Sequence, residues 1–421
     1  MQTLVRALAP LTLLSALLLV PSAAAPAAAP AAAPAVSSSL STSTAPQVRA
    51  TAQQKAQQKA QKGRALGNYT PVTGATFNDP TAGVWARGRI INHIIKTINS
   101  APPRSVIKMA VFSFAHTEVA DALVAAYQRG VRLKLVFAGE NIYSPMRRLQ
   151  GLLGADVTRP SYAVICANSC RGIKGQMHAK YFSFKKAGTA QYITMVGSVN
   201  LTRYNADKQW NDLYTSVGDK TFYTAFARWF DQLKDDVPVD PTYMLRATAT
   251  AEIQFTPMDP LITPDPIMGI LSRVRCLVPI EEIDPYTTTP GVLVPTQILI
   301  SAHAWNDVRG RTIATKVAEL AYAGCAVRVV LGVGYGPFVR SILETAGIPV
   351  STGTHPGIRT HQKLLIVSGG FDADPQTTRV VTGSSNWSDV ALTRDDMVVT
   401  LTDETIGAQY VAGFESLWLN G

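Results

Sequence analysis

Two short stretches of this 421-residue chain pair a histidine with a lysine two places on. They are His178 and Lys180 in QMHAKYFSF, and His361 and Lys363 in THQKLLIV. Each is followed by a glycine-serine and then an asparagine: Gly197, Ser198 and Asn200, then Gly383, Ser384 and Asn386. An imidazole can attack a phosphoryl centre, and a second one can give or take a proton near neutral pH. Lysine supplies fixed positive charge, while serine and asparagine supply neutral donors for phosphoryl oxygens. Together these types suit cleavage of a phosphodiester, with no metal or other cofactor required. A lone His-x-Lys would mean little; two with the same followers mean more.

The followers belong to a longer repeat. His361 and Lys363 come 183 residues after His178 and Lys180, and Gly383, Ser384 and Asn386 come 186 after their counterparts. Asp212 in QWNDLYT meets Asp396 in TRDDMVV at an offset of 184, and so does Asp219-Lys220-Thr221 with Asp403-Glu404-Thr405. Each pass closes on an aromatic helical stretch carrying Trp229 or Trp418. The sequence therefore encodes an internal duplication.

Elements that could hold these residues are legible in both passes. The apolar run Val106–Phe114, a helical pattern with Val119, Leu123, Val124 and Tyr127 on one face, Gly130 and the strand VRLKLVFAG form the first. Gln297–Ala302, a helix with Ile313, Val317 and Leu320, Gly324 and AVRVVLGVG form the second. This order predicts an α/β protein: two similar α/β/α sandwich lobes with mixed, mostly parallel sheets, related by a pseudo-two-fold within one chain. Residues i and i+2 of a strand share a face, so each histidine should point the same way as its lysine. Both pairs must then face one cleft, which a single chain can build as a monomer.

The doubled H-x-K…G-S-x-x-N pattern resembles the phospholipase D superfamily from about Thr76 to the end of the chain. That resemblance implies a covalent phosphohistidine on one histidine and protonation of the leaving alcohol by the other. It assigns His178 as nucleophile and His361 as acid/base, with Lys180, Lys363, Asn200 and Asn386 in the catalytic set. Gly197, Ser198, Gly383 and Ser384 would form the substrate-binding wall. Asp212 and Asp396 match the acids that hold each histidine in its tautomer, with Asp395 a rival to Asp396. One departure stands out: the family aspartate expected five residues after each motif lysine is Lys185 in one copy and Ser368 in the other. His116, His303 and His355 match no pair and are read as structural or rim residues.

The rest of the chain bounds the setting. Residues 1–25 read as a secretory signal, cut between 23 and 36, with a membrane-anchored N-terminus as the alternative. Residues 26–75 are an Ala/Pro-, Ser/Thr- and Gln/Lys-rich linker without a core, followed by lobes at 76–245 and 246–421. Six bases and no acid precede Gly67, so more than half of the net charge of +10 sits on that tail and weakens a nucleic-acid reading. Such a tail also suits an anionic membrane surface. Cysteines 166, 170, 276 and 325 predict two disulfides, with Cys166–Cys170 and Cys276–Cys325 favoured among three pairings. Three functions remain open: a secreted phospholipase D acting on phospholipids, a secreted nuclease of the same superfamily, and a non-catalytic phosphate-binding protein.

Overall fold

The computed structural model describes residues 67–421. The expected signal segment and residues 26–66 of the linker lie outside the described residues. Residues 67–75, counted with the linker on sequence, belong to the first lobe. Tyr69 Oη bonds His93 Nδ1 at 2.9 Å, and Thr70 Oγ1 bonds Thr189 Oγ1 at 3.2 Å.

The first sheet contains β1 (Gly74–Phe77), β2 (Val106–Val111), β3 (Arg132–Ala138), β4 (Tyr162–Cys166), β5 (Lys180–Ala187), β6 (Ala190–Gly197) and β7 (Asp212–Ser216). Their order is β1-β7-β6-β5-β2-β3-β4. The second sheet contains β8 (Met244–Ala247), β9 (Ala251–Phe255), β10 (Gln297–Trp305), β11 (Ala326–Tyr335), β12 (Val350–Ser351), β13 (Lys363–Phe371), β14 (Asp374–Gly383) and β15 (Met397–Leu401). Its order, β8-β9-β15-β14-β13-β10-β11-β12, repeats the first with β8 added at one edge. The duplication read from the sequence is therefore a duplication of fold.

Parallel pairing is more limited than expected. Among the main strands of the two sheets, it joins only β2, β3 and β4 in one lobe and β10, β11 and β12 in the other. There long helices cross between neighbouring strands. The motif strands β5–β6 and β13–β14 are hairpins, each with a two-residue turn, which force antiparallel pairing.

The layers follow from strand alternation. Ile107, Met109 and Val111 of β2 face α1 (Arg89–Asn99) and α2 (Thr117–Gln128), while Ala110 faces the opposite core. In the second lobe, Ile298 and Ile300 of β10 face α5 (Asp307–Tyr322) and α6 (Pro337–Thr345). Between them come α3 (Ser144–Leu153) and α4 (Lys220–Leu233), and α7 (Glu404–Asn420) closes the chain.

The inner faces of both sheets share one core with α4 and α7. There Trp229 of α4 stacks on Phe255 of β9, with ring centroids 4.8 Å apart and planes 22° apart. The repeated aspartates Asp219 and Asp403 cap these helices, accepting hydrogen bonds from Phe222 N–H at 2.8 Å and Ile406 N–H at 3.0 Å. Both favoured disulfides are present, Cys166–Cys170 and Cys276–Cys325.

Candidate active site

The two histidines sit just before β5 and β13, each pinned by the opposite lobe. His178 N–H donates to Asp395 O at 3.0 Å, and His361 N–H donates to Trp210 O at 2.8 Å. The lysines open their strands and curl back, each donating to its own histidine's carbonyl at 2.5 Å. All four residues are buried.

The side-chain partners also cross between lobes, but they differ in kind. His178 Nδ1 donates to Asp396 Oδ1 at 2.9 Å. His361 Nδ1 donates to Ser198 O at 2.9 Å and to Asn211 Oδ1 at 3.1 Å. Asp212 touches neither histidine. It opens β7 one residue beyond Asn211, on the opposite face, and accepts from Thr382 Oγ1 and from Tyr410 Oη at 3.2 Å. Backbone bonds fix the true equivalence: Ser198 N–H donates to Asp212 O, and Ser384 N–H donates to Met397 O. Asn211 thus corresponds to Asp396, Trp210 to Asp395, and Asp212 to Met397. The equal spacing of Asp212 and Asp396 was misleading because the link after Ser198 is one residue longer than the link after Ser384.

Asp395, the rival orienter, points elsewhere. Its Oδ2 accepts from Ser169 Oγ at 2.9 Å and from Cys170 N–H at 2.6 Å. The disulfide loop is thereby tied to the backbone that carries Asp396.

Ser198 and Ser384 are fully buried and donate to Asn211 Oδ1 and Asp396 Oδ1, so they support the orienting groups rather than line a substrate wall. Gly197 and Gly383 serve close strand approach. A Cβ at either would lie 2.2 Å from a backbone oxygen, of Asp212 or Met397, and Gly383 has φ +143°. Asn200 and Asn386 are buried, with no partner on Oδ1 among the described residues.

Lys185 and Ser368, which replace the family aspartate, lie well along β5 and β13. Lys185 Nζ sits 4.0 Å from the Tyr192 ring centroid, and Ser368 Oγ bonds Thr378 Oγ1 at 3.1 Å. Neither substitution touches the histidines or lysines.

Electrostatics follow from burial. Desolvation lowers the His178 imidazole to about 4, with Lys180 adding to it and Asp396 opposing. Burial alone would raise the Asp396 carboxyl, but His178 and Lys180 bring it down to about 2. The resting pair is therefore neutral imidazole and carboxylate. His361 lies well below its ordinary value through burial, then Lys363 and His303. Burial pulls Lys180 far down and Lys363 to about 7, with Arg394 also lowering both. An anionic phosphodiester would reverse these shifts, because opposite charge favours the protonated forms.

Three neighbours of the histidines lie outside the repeated motifs, among them His303, read from the sequence as a structural or rim residue. His303 lies with its ring centroid 4.3 Å from that of His361, and Phe112 packs on His178 at 4.6 Å. Arg394 carries a buried Nε with no partner among the described residues. None of the three has a repeated counterpart of its own type, so the duplication could not reveal them. His116 Nδ1 lies 2.9 Å from Glu118 Oε2 without a hydrogen bond, and His355 Nδ1 bonds Thr354 Oγ1 at 3.2 Å.

A family model described as "Cardiolipin synthase, PLD-like domain" matches residues 94–234 and 296–418, spanning both lobes. The chain belongs to the phospholipase D superfamily. Its fold is similar to that of phosphatidylserine synthase from Haemophilus influenzae Rd KW20, with 12% identity, TM-score 0.52, and coverage of 86% of this chain and 90% of that one. It is also similar to polyphosphate kinase from Porphyromonas gingivalis, with 14% identity and TM-score 0.52. There 82% of this chain is covered, and this chain spans 50% of the kinase's length. No curated protein matches.

Proposed function

We propose that this protein is a secreted phospholipase D-type phosphodiesterase that releases an alcohol headgroup and phosphatidate from phospholipids. The observation that carries the reading is the unequal holding of the two motif imidazoles, by Asp396 on one and by Ser198 O and Asn211 on the other. His178, with Nδ1–H on Asp396, keeps its Nε2 lone pair for attack, and Asp396 stabilises the cation formed when that nitrogen is phosphorylated. His361, held by neutral oxygens, surrenders a proton readily and is assigned the acid.

In the first step His178 Nε2 bonds to phosphorus and the bond to the headgroup oxygen breaks. That oxygen takes its proton from His361 Nε2. In the second step water attacks phosphorus, its proton passes to His361, and the phosphorus–nitrogen electron pair returns to His178. Lys180, Lys363, Asn200 and Asn386 hold the non-bridging oxygens, where charge builds in each transition state.

Lipid is favoured over nucleic acid by what surrounds the strand ends. The loops leaving Phe77 and Phe255, which pair with Asp212 and Met397 beside the orienting residues, carry exposed apolar side chains. Trp85 is 80% exposed and Leu261 94% exposed, with Val84 and Ile262 beside them. By contrast, Arg148 is paired with Asp121 at 2.5 Å. Arg159 lies just before Ser161, which bonds Leu133 at the start of β3, the end of the sheet away from Lys180. Two disulfides support action in an oxidising compartment.

Choline release from phosphatidylcholine vesicles, run beside plasmid nicking, tests the assignment. Vesicle turnover abolished by His178→Ala is expected; nicking without choline release would overturn the lipid assignment in favour of the nuclease.

A further inference from the structure

Beside His361 lies a third imidazole that belongs to neither motif. His303 follows the register irregularity between Ala302 and Ala304 of β10, and its ring plane is tilted 54° to that of His361. Its Nδ1–H donates to Thr360 O at 3.1 Å, which fixes the neutral tautomer and leaves Nε2 a lone-pair acceptor. Burial and then Lys363 hold its pKa near 3, so the ring is neutral through the physiological range.

The pseudo-two-fold mate of His303 is Phe112. Each donates its backbone N–H to the residue between motif histidine and lysine, His303 to Gln362 O at 2.8 Å and Phe112 to Ala179 O at 2.9 Å. Phe112 tilts 57° against His178, much as His303 does against His361. At this pair of positions the two halves are built alike, except that a nitrogen lone pair on the His361 side replaces a hydrocarbon ring edge.

We propose that His303 selects water over alcohols as the acceptor that releases the phosphohistidine. This inference rests on the roles given above to His178 and His361. In the second step the water oxygen bonds to phosphorus as the bond to His178 Nε2 breaks. One water hydrogen passes to His361 Nε2. The other stays on the oxygen, enters the product as its P–OH, and donates to His303 Nε2 during the attack. An alcohol has only one hydroxyl hydrogen, which His361 takes. Its carbon substituent would then face His303 and leave a desolvated acceptor unpaired, which is costly. Phe112 could make no such distinction.

Bis-para-nitrophenyl phosphate in water–ethanol mixtures provides the test. Hydrolysis yields para-nitrophenyl phosphate, and transfer yields its ethyl ester. The ratio of these products is set after the first nitrophenol has left, so it is independent of the first step and of the amount of folded enzyme. His303→Phe should raise the transfer-to-hydrolysis ratio about fivefold. His303→Asn, which restores an acceptor oxygen, should lie closer to the parent. An unchanged ratio in His303→Phe, or an equal shift in both variants, would overturn the role of His303. A nitrophenol burst accompanying that result would leave the phosphohistidine reading standing; absence of any burst in the parent, with no label on His178, would remove both.

Discussion

Asn211 and Asp396 occupy equivalent places, and the exchange of an amide for a carboxylate gives the two histidines unlike partners, on which the proposed division of tasks rests. A carboxylate beside an imidazole favours the cation, whereas an amide oxygen only orients the ring. Asn211→Asp places a carboxylate where Oδ1 now lies 3.1 Å from His361 Nδ1. His361 then holds its proton to higher pH, so the alkaline decline of kcat/KM on an alkyl phosphodiester should move upward. The variant also loses the Asn211 Nδ2 bonds to Asn205 O and Gln209 O, so some stability should be lost. A profile that falls in amplitude without moving would mean that Asn211 is merely structural. The histidines, lysines and asparagines of this site were readable from their doubled spacing. Asn211 was not, because one extra residue in the first-copy link hides which neighbour faces the cleft until strand pairing fixes it.

Among the elements, the segment from Cys166 to His178 acts as a strap across the lobe boundary. Its ends are the disulfide and His178, and its middle is fastened to Asp395 by Ser169 Oγ and Cys170 N–H. Burial raises the Asp395 carboxyl from 3.8 to about 6 against these bonds and Arg171. The folded state therefore binds that proton more tightly than the unfolded state does. The corresponding stabilisation is complete below 3.8 and is lost as pH rises through about 6. Asp395→Asn carries no such proton, so its melting temperature should fall less between pH 5 and pH 8 than that of the parent. Parallel curves in differential scanning fluorimetry would contradict this assignment. The cysteine pairing was legible from spacing and from the even count. The strap's attachment to the second lobe was not, since nothing local in the sequence marks contacts more than two hundred residues apart.

At the scale of the whole molecule, the two lobes share the core around α4 and α7 and cannot be separated without exposing it. Trp229 comes from one lobe and its stacking partner Phe255 from the other. Trp229→Ala should cost about 3–5 kcal/mol, the usual loss for a fully buried large aromatic. Both lobes should still melt in one transition; two resolved transitions in calorimetry would show independent cores. The duplication was readable because the glycines, cap aspartates and motif residues recur at nearly constant spacing. The extent of antiparallel pairing was less so, because strand–helix–strand patterns dominate the apolar periodicity while the motif strands pair through short hairpins.

The central claim is that the covalent intermediate forms on His178. Rapid mixing of radiolabelled substrate with the enzyme, an alkaline quench that preserves phosphohistidine, and peptide mapping would locate it directly. The label should appear on the peptide containing His178 and should accumulate in His361→Asn. Label on His361, persisting in His178→Ala, would contradict the assignment and reverse the two roles.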